Sequence, residues 1–302
     1  MATSENQPSL STAGNDQLVL TKKAMDPRRY ILGKALTTLT IVFTAFVLIP
    51  LIAVVVNVSS RGVNQLKWPT TFTELPPPPG LTEGGFGHAI IGSLLTLGVA
   101  IAIAVPFGVI AAVYLAEFGK GTRIAYLVKF SANVLTGVPA ILMGLFAYSV
   151  VVIPTGRFSA FSGGVALAVL MLPIILRTTE EALRLVPNEM RQAALAVGST
   201  RFQMVSKIVI PCALPAIVTG VILGVARAAG EAAPLLFTAF NNNFWSTDVW
   251  GPVSTLPVLI YFFSIIPYKA SQDLAWAAAM VLVAIVLILS VTARFFTRVR
   301  TY

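Results

Sequence analysis

The 302-residue sequence predicts an all-α membrane protein with six transmembrane helices. Three observations carry that expectation. Apolar residues make up 56% of the chain and charged residues 11%, against roughly 45–50% and roughly 25% in soluble domains. The apolar residues fall into long charge-free runs rather than short periodic ones. The basic residues stand at the ends of those runs and form no continuous face, so the net charge of +9 reads as membrane topology and not as nucleic-acid binding. One cysteine, Cys212, rules out an intrachain disulfide and a Cys-based metal cluster, and one histidine, His88, rules out a two-histidine metal site.

Residues 1–29 are rich in Ser, Thr, Asn and Gln and are expected to form a disordered cytoplasmic tail, because burial cannot offset their ordering entropy. The transmembrane domain then occupies 30–302. Its first apolar run is too long, and begins too far into the chain, for a cleaved signal peptide. Charge-free gaps mark the spans. Lys34 to Arg61 encloses 26 residues, His88 to Glu117 28, Lys129 to Arg157 27, Arg157 to Arg177 19 and Asp273 to Arg294 20. Each covers a hydrocarbon core that needs ~20 helical residues. A further span, Leu214 to Ala239, is interrupted by Arg227 and Glu231.

With six spans, 16 Lys and Arg lie on one side and Arg61, Lys67, Arg157 and Lys269 on the other, which places both termini in the cytoplasm. The outer segment 58–87 carries Trp68 and the run Pro76 to Pro79, a stiff spacer across the membrane surface. In the outer segment 241–272, the apolar stretch Leu256 to Ile266 is only 11 residues long. That is too short to span, so it is expected to be interfacial or re-entrant, with Trp245 and Trp250 at headgroup level.

Small residues recur every fourth position in two spans: Ala100, Ala104, Gly108, Ala112 and Ala116 in the second, and Ala216, Gly220, Gly224, Ala228 and Ala232 in the fifth. Such stripes let membrane helices pack backbone to backbone, so both helices should lie inside the bundle. Pro106, Pro139, Pro173 and Pro234 fall within the spans, where proline bends a helix and neighbours re-satisfy the freed carbonyl.

Arg227 stands at the midpoint of the fifth span, where insertion of a cation costs on the order of 2.5–3.5 kcal/mol. Glu231, four residues on, is expected on the same helical face, able to pair with it and to point with it toward the bundle interior. A guanidinium offers a planar fork of donors that suits tetrahedral oxyanions such as phosphate and stays charged at any physiological pH. Arg227 is therefore the candidate that meets an anionic solute, and Glu231 the group that orients it, accepts a proton-bearing oxygen or competes as a gate. The structural alternative is an ion pair that fixes helix register.

Between Pro187 and about residue 211 the sequence turns polar, with two short helices expected at the cytoplasmic side. Pro187 suits a first helical turn and Gly198 a C-terminal cap, and Thr200 with Gln203 has capping-box spacing. The second helix is expected to place Phe202, Val205, Ile208 and Val209 on one apolar face that needs a partner groove.

Gln192, Ala193, Ala194 and Gly198, followed by Ile208, Ile210 and Pro211, resemble the Glu-Ala-Ala loop of permease subunits of bacterial ABC importers. The departures are Gln192 for Glu and Ile210 for Leu. The run Ala226 to Leu236, and the segment Leu135 to Pro139 with Gly144, Leu145 and Phe146, are similar to the phosphate importer permeases called the PstA family, with a MetI-like transmembrane fold. The likeness extends from about residue 30 to the C-terminus. It implies a six-helix ABC importer permease whose loop, with Gln192, Ala193, Ala194, Gly198, Thr200 and Phe202, forms a coupling helix docking into a cytoplasmic ATPase. It also implies a heterodimeric pore with a second, PstC-like permease, a PstB-like ATPase homodimer and an external PstS-like phosphate-binding protein. No cofactor is expected in this chain, since ATP and Mg belong to the partner ATPase.

Gly119, Lys120 and Gly121 lack the glycine spacing and the Ser or Thr of a phosphate-binding loop, so ATP must be hydrolysed elsewhere. A nucleophile with its base, or paired carboxylates on a metal, is also missing from the sequence, which argues against an intramembrane enzyme. His88 reads as an ordinary polar residue at an outer helix end, and Glu180 and Glu181 as groups facing water or the ATPase. An ion-coupled secondary anion transporter, with Glu231 as proton carrier, is the alternative from another class, and an ABC permease for another oxyanion the alternative within it.

Overall fold

The computed structural model of the protein describes residues 27–78, 80–81 and 84–296. The expected tail lies outside the described residues except at 27–29, where a helix has already begun. Among the described residues all regular structure is helical. A charge-free apolar segment leaves its backbone no polar partner but itself, and the helix is the local solution.

Two units are distinct, residues up to Asn57 and residues from Val58 onward. The first unit is most of helix α1, Pro27–Val63, whose side chains from Tyr30 to Val56 are exposed all round. In the second unit α2 (Gly87–Val113) continues through a π-helical turn at Tyr114–Phe118. Helices α3 (Arg123–Gly137) and α4 (Ala140–Thr155) follow, then α5 (Ala160–Arg184), the short α6 (Asn188–Ala196), α7 (Arg201–Ala229), α8 (Leu256–Ile265) and α9 (Lys269–Phe296).

Five of these helices, α1, α2, α5, α7 and α9, are long and apolar enough to cross a membrane. The third expected span is not one rod. It breaks at Val138 and Pro139, and α3 and α4 meet there at 112°. Pro139 lacks the N–H that would continue α3 and forces Val138 out of helical backbone (ψ 131°), so the chain turns and restarts. Pro106 and Pro173 interrupt neither α2 nor α5.

α5 is the centre of the unit. Its start is fixed by a capping box in which the Ser159 hydroxyl accepts from the Ser162 amide and the Ser162 hydroxyl accepts from the Ser159 amide. All five members of the α2 stripe, Ala100, Ala104, Gly108, Ala112 and Ala116, are buried. A Cβ on Gly108 would lie 2.9 Å from Cγ2 of Ile175, so α2 rests directly on α5. On the other side, a Cβ on Gly220 would come 2.2 Å from Oγ1 of Thr178, and one on Gly224 3.3 Å from Cγ1 of Ile175. The α7 stripe is buried only in its middle, at Gly220, Gly224 and Ala228; Ala216 is exposed and Ala232 half-buried. Its regular spacing ends because α7 ends at Ala229.

The apolar stretch after residue 255 forms the ten-residue α8, which packs against α9 and the start of α2 through Leu256, Leu259, Phe263, Leu274, Ala278 and Phe86. It is too short to span, as its length implied, and it is a buried part of the protein. Trp245 and Trp250 are both about half exposed on this side of the unit.

Gly220→Ala should lower the thermal unfolding midpoint of the purified protein, with a stability loss of ~1–3 kcal/mol from overpacking against Thr178. Adding Thr178→Gly should recover part of it. Gly98→Ala, where no atom lies within 4 Å of the new methyl, should leave the midpoint unchanged.

Candidate functional site

α7 ends at Ala229, ten residues before the Ala239 that the sequence implied. Gly230 leaves the helix, and its amide and that of Glu231 donate to Arg227 O and Ala228 O in a tight closing turn (both 3.2 Å). The run then restarts as a single turn at Ala233–Leu236 with Pro234 in its first turn. Arg227 is thus in the last turn of α7 and Glu231 beyond it, so the two do not share a helical face. They approach across the turn, with Arg227 Nε 3.9 Å from Glu231 Oε1.

That distance is an ion pair without a charge-assisted hydrogen bond, which would be ~2.7–2.9 Å long. The Arg227 side chain is 60% exposed and that of Glu231 26%. The guanidinium therefore does not point into this chain's own bundle, as expected, but onto an open face. Its fork of Nη donors is left for another partner.

The depth of Arg227 follows from its neighbours, since residues 214–239 are not one rod and their midpoint has no meaning. Gly224 lies against Ile174 and Ile175, and Gly220 against Thr178, an antiparallel register. Ala228 continues it into a cluster with Ala168 and Met171. Arg227 is therefore level with the middle of α5. The α3–α4 break lies beside it in the fold: a Cβ on Gly144 of α4 would fall 2.5 Å from Cα of Pro234. Two interrupted helices thus meet next to the ion pair.

The 187–211 segment is a compact bracket below α5. Pro187 precedes α6 as its cap rather than sitting in its first turn. Ala194 is buried with Leu183, Val186, Met204, Val205 and Val209, whereas Gln192 and Ala193 point outward. Gly198 adopts φ +87°, the left-handed conformation that favours glycine. The capping box forms: the Gln203 amide donates to the Thr200 hydroxyl (3.2 Å), and the Thr200 amide to Oε1 of Gln203 (3.0 Å).

No separate second short helix follows. Arg201 runs through a π-helical turn at Val205–Val209 straight into α7, so the bracket and the membrane helix are one rod. The expected apolar face divides as well. Val205 and Val209 are buried and Ile208 half-buried, but Phe202 is 72% exposed. Phe202 joins Leu185, Val197 and Leu195 in leaving apolar side chains uncovered around α6.

Two polar residues, Glu180 and His88, depart from the sequence expectation. Glu180 is buried, and one of its oxygens meets both Lys129 Nζ and Arg184 Nη2 at 2.6 Å, tying α3 to the end of α5. Glu181 is exposed. Lys129, Asn133, Arg177, Glu180, Glu181 and Arg184 line a cavity of about 200 Å³ there. His88 is not a surface residue at a helix end but is 3% exposed, edge-on to Trp245 with ring centroids 6.3 Å apart. Arg191 and Glu117, which sequence reasoning passed over as topological charges, form a buried pair at 2.8 Å. Being 74 positions apart, they left no local spacing to read.

The geometry is that of a helical unit with several membrane-length helices, one of them ending beside a half-open cation and continuous at its other end with the bracket. The family described as binding-protein-dependent transport system inner membrane component matches residues 104–300. The chain belongs to that family and, within it, to the PstA permeases. It is 39% identical to the phosphate transport system permease protein PstA of Yersinia pestis, over 90% of this chain and 91% of that one. It is 38% identical to PstA 1 of Mycobacterium tuberculosis H37Rv over 97% of each. Among solved structures, an inward-facing MetNI methionine ABC transporter chain aligns with TM-score 0.56 at 23% identity, covering 70% of this chain and 95% of that one. A bacterial alginate ABC transporter chain aligns with TM-score 0.59 at 15% identity, covering 90% and 95%. At those identities the likeness is one of fold.

Glu180→Gln should destabilise the protein by ~1–3 kcal/mol, since it replaces the carboxylate that faces two charged donors with a neutral amide. Most of that loss belongs to Lys129, because Arg184 is 60% exposed and screened by solvent. Glu181→Gln should be silent in the same thermal unfolding measurement.

Proposed function

We propose that the chain is the transmembrane permease subunit of an ATP-driven phosphate importer and forms half of its translocation pathway. Membership of the PstA permeases supports phosphate as the solute, which an arginine alone does not specify. The observation that carries the mechanism is the Arg227 guanidinium, set level with the middle of α5, open on one side, and held by Glu231 at 3.9 Å without a hydrogen bond.

A second, PstC-like permease supplies the other half of the path and covers the open face. A cation in so apolar a setting attracts an oxyanion strongly, by ~4 kcal/mol at 4 Å in a medium of effective dielectric constant 20. Glu231 competes for the same cation. Phosphate entering displaces that weak pairing, and the carboxylate can then accept a hydrogen bond from a protonated phosphate oxygen. As phosphate leaves, Glu231 re-pairs with Arg227, so the cation is never left bare and the anion is not trapped. The broken ends of α7 and α4 give this site a way to change shape without bending an intact helix.

This chain carries no catalytic step and no cofactor. ATP and Mg act in a PstB-like ATPase homodimer, and an external PstS-like binding protein delivers phosphate. The excess of Lys and Arg around 120–129 and 177–207 orients these segments, and both termini, to the cytoplasm. The bracket of α6 then faces the ATPase. Gln192, Ala193 and the exposed Phe202 form its docking surface, Ala194 seats it, Gly198 permits its turn and Thr200 starts the rod that leads to Arg227.

Arg227→Gln should lower phosphate uptake by proteoliposomes of the assembled complex ten- to a hundredfold, the equivalent of ~1.5–3 kcal/mol for one hydrogen bond to a charged group. Arg227→Lys should fall between, with partner subunits still co-purifying. Wild-type uptake in Arg227→Gln overturns the role of the cation, and uptake by this chain alone without ATP points to a secondary transporter. Gly198→Val, strained at φ +87°, should release the ATPase during purification.

A further inference from the structure

We propose that the buried pair Arg191–Glu117 is the tie through which movement of α6 is passed to the inner ends of α2 and α5, making both positioning residues for transport. This rests on the reading of the 187–211 bracket as the element driven by the ATPase.

The bracket is attached to the membrane helices in two ways. On one side it is covalent, through Val197, Gly198 and Ser199 into α7. This link is a single turn at Gly198, closed by the Gly198 and Ser199 amides donating to Leu195 O (3.0 Å) and Ala194 O (3.2 Å). On the other side the polar fastening is Arg191. Its Nη2 donates to Glu117 Oε1 at 2.8 Å and to Leu183 O at 2.7 Å, and its Nη1 donates to Val186 O. One guanidinium thus holds three elements: its own α6, the carbonyls at the end of α5, and the carboxylate in the π-helical turn that closes α2.

Capping α5 requires only donors on its last carbonyls. It does not require a carboxylate from a different helix. Glu117 has 4% of its side chain exposed and Arg191 12%. The other ion pairs among the described residues each have at least one partner more than a third exposed. If α6 moved away from α2, it would strand a buried carboxylate with no counter-ion, which is strongly unfavourable. The inner end of α2 must therefore follow α6.

α2 in turn is held against α5, because the stripe is buried and Gly108 brings its backbone against Ile175, and α5 is seated on α7 at Gly220 and Gly224. Displacement of α6 is handed to a block of helices that ends beside Arg227. Without the tie, α6 keeps its apolar seat at Ala194 and its chain link to α7, but α2 is no longer bound to follow it.

The test is phosphate moved per ATP hydrolysed by the assembled complex in proteoliposomes. Glu117→Gln and Arg191→Gln should each keep ATP hydrolysis within about twofold of wild type while phosphate per ATP falls at least tenfold. The double variant should fall no further than either single one, since both remove the same contact. Arg191→Lys, which keeps the charge opposite Glu117, should recover most of the ratio. A wild-type ratio in Glu117→Gln overturns the tie. So does a parallel loss of hydrolysis and uptake in all variants, which is what a merely structural cap would give. A second readout needs no phosphate: Phe118→Cys in a Cys212→Ser background should change its maleimide labelling rate on ATP binding. Glu117→Gln should abolish that change, and its persistence counts against the tie. An intact labelling response in a complex that moves no phosphate overturns the substrate assignment and leaves the tie standing.

Discussion

Inside a bilayer, helices gain little by hiding apolar side chains from one another, because the surrounding tails are as apolar as they are. Cohesion has to come from contact distance. In this protein the contact is made where side chains shrink to a methyl or a hydrogen: along Ala100 to Ala116 on α2, and at Gly220, Gly224 and Ala228 on α7. Both rows rest on α5, and Ile175 is touched from both sides. The rest of the described unit is arranged around that seam. It sets the register of α7 on α5, which sets the level of Arg227, and it leaves the face of α7 that carries Thr219, Leu223 and Arg227 uncovered.

Charge is then distributed by what the seam permits. Carboxylates at the bracket ends of α2 and α5 are buried and each is met by a cation from another element, Glu117 by Arg191 and Glu180 by Lys129, with Arg184 of its own helix also on Glu180. At mid-depth the opposite holds, with a cation that is open and a carboxylate that touches it only loosely. Tight pairs suit parts that must move together, and a loose one suits a place where a solute competes for the cation. On the proposed reading the same two residue types act as fastening in one place and as a contact for cargo in another, with burial making the difference.

Much of this was legible in the sequence, because the forces that set membrane spans are local. Gaps between charges located the helices, and four-residue spacing found the α2 stripe in full. Thr200 with Gln203 announced its own cap, and the length of Leu256 to Ile266 was enough to deny it a span. The failures share a cause. Pro139 was visible as a kink but not as a 112° break, since Pro106 and Pro173 leave their helices whole. The end of α7 at Ala229 was hidden because Gly230 also continues a small-residue pattern. The bracket was read as two short helices because a capping box marks where a helix starts and not how far it runs. Arg191 and Glu117 carried no signal at all, as a contact between distant segments has no period.

The continuity of α7 bears on how the protein sits in its membrane. At 29 residues and ~1.5 Å per residue the helix is about 43 Å long, while the hydrocarbon layer is only ~30 Å thick. Because Arg227, two residues from its end, is level with the middle of α5, α7 crosses only about half of that layer, ~15 Å, and the rest overhangs as a stalk that carries Arg201 and Lys207. It can lean or be drawn inward by several ångströms before either cation reaches acyl chains, so the lipid opposes only the far end of its travel and the working stroke stays free of a desolvation cost.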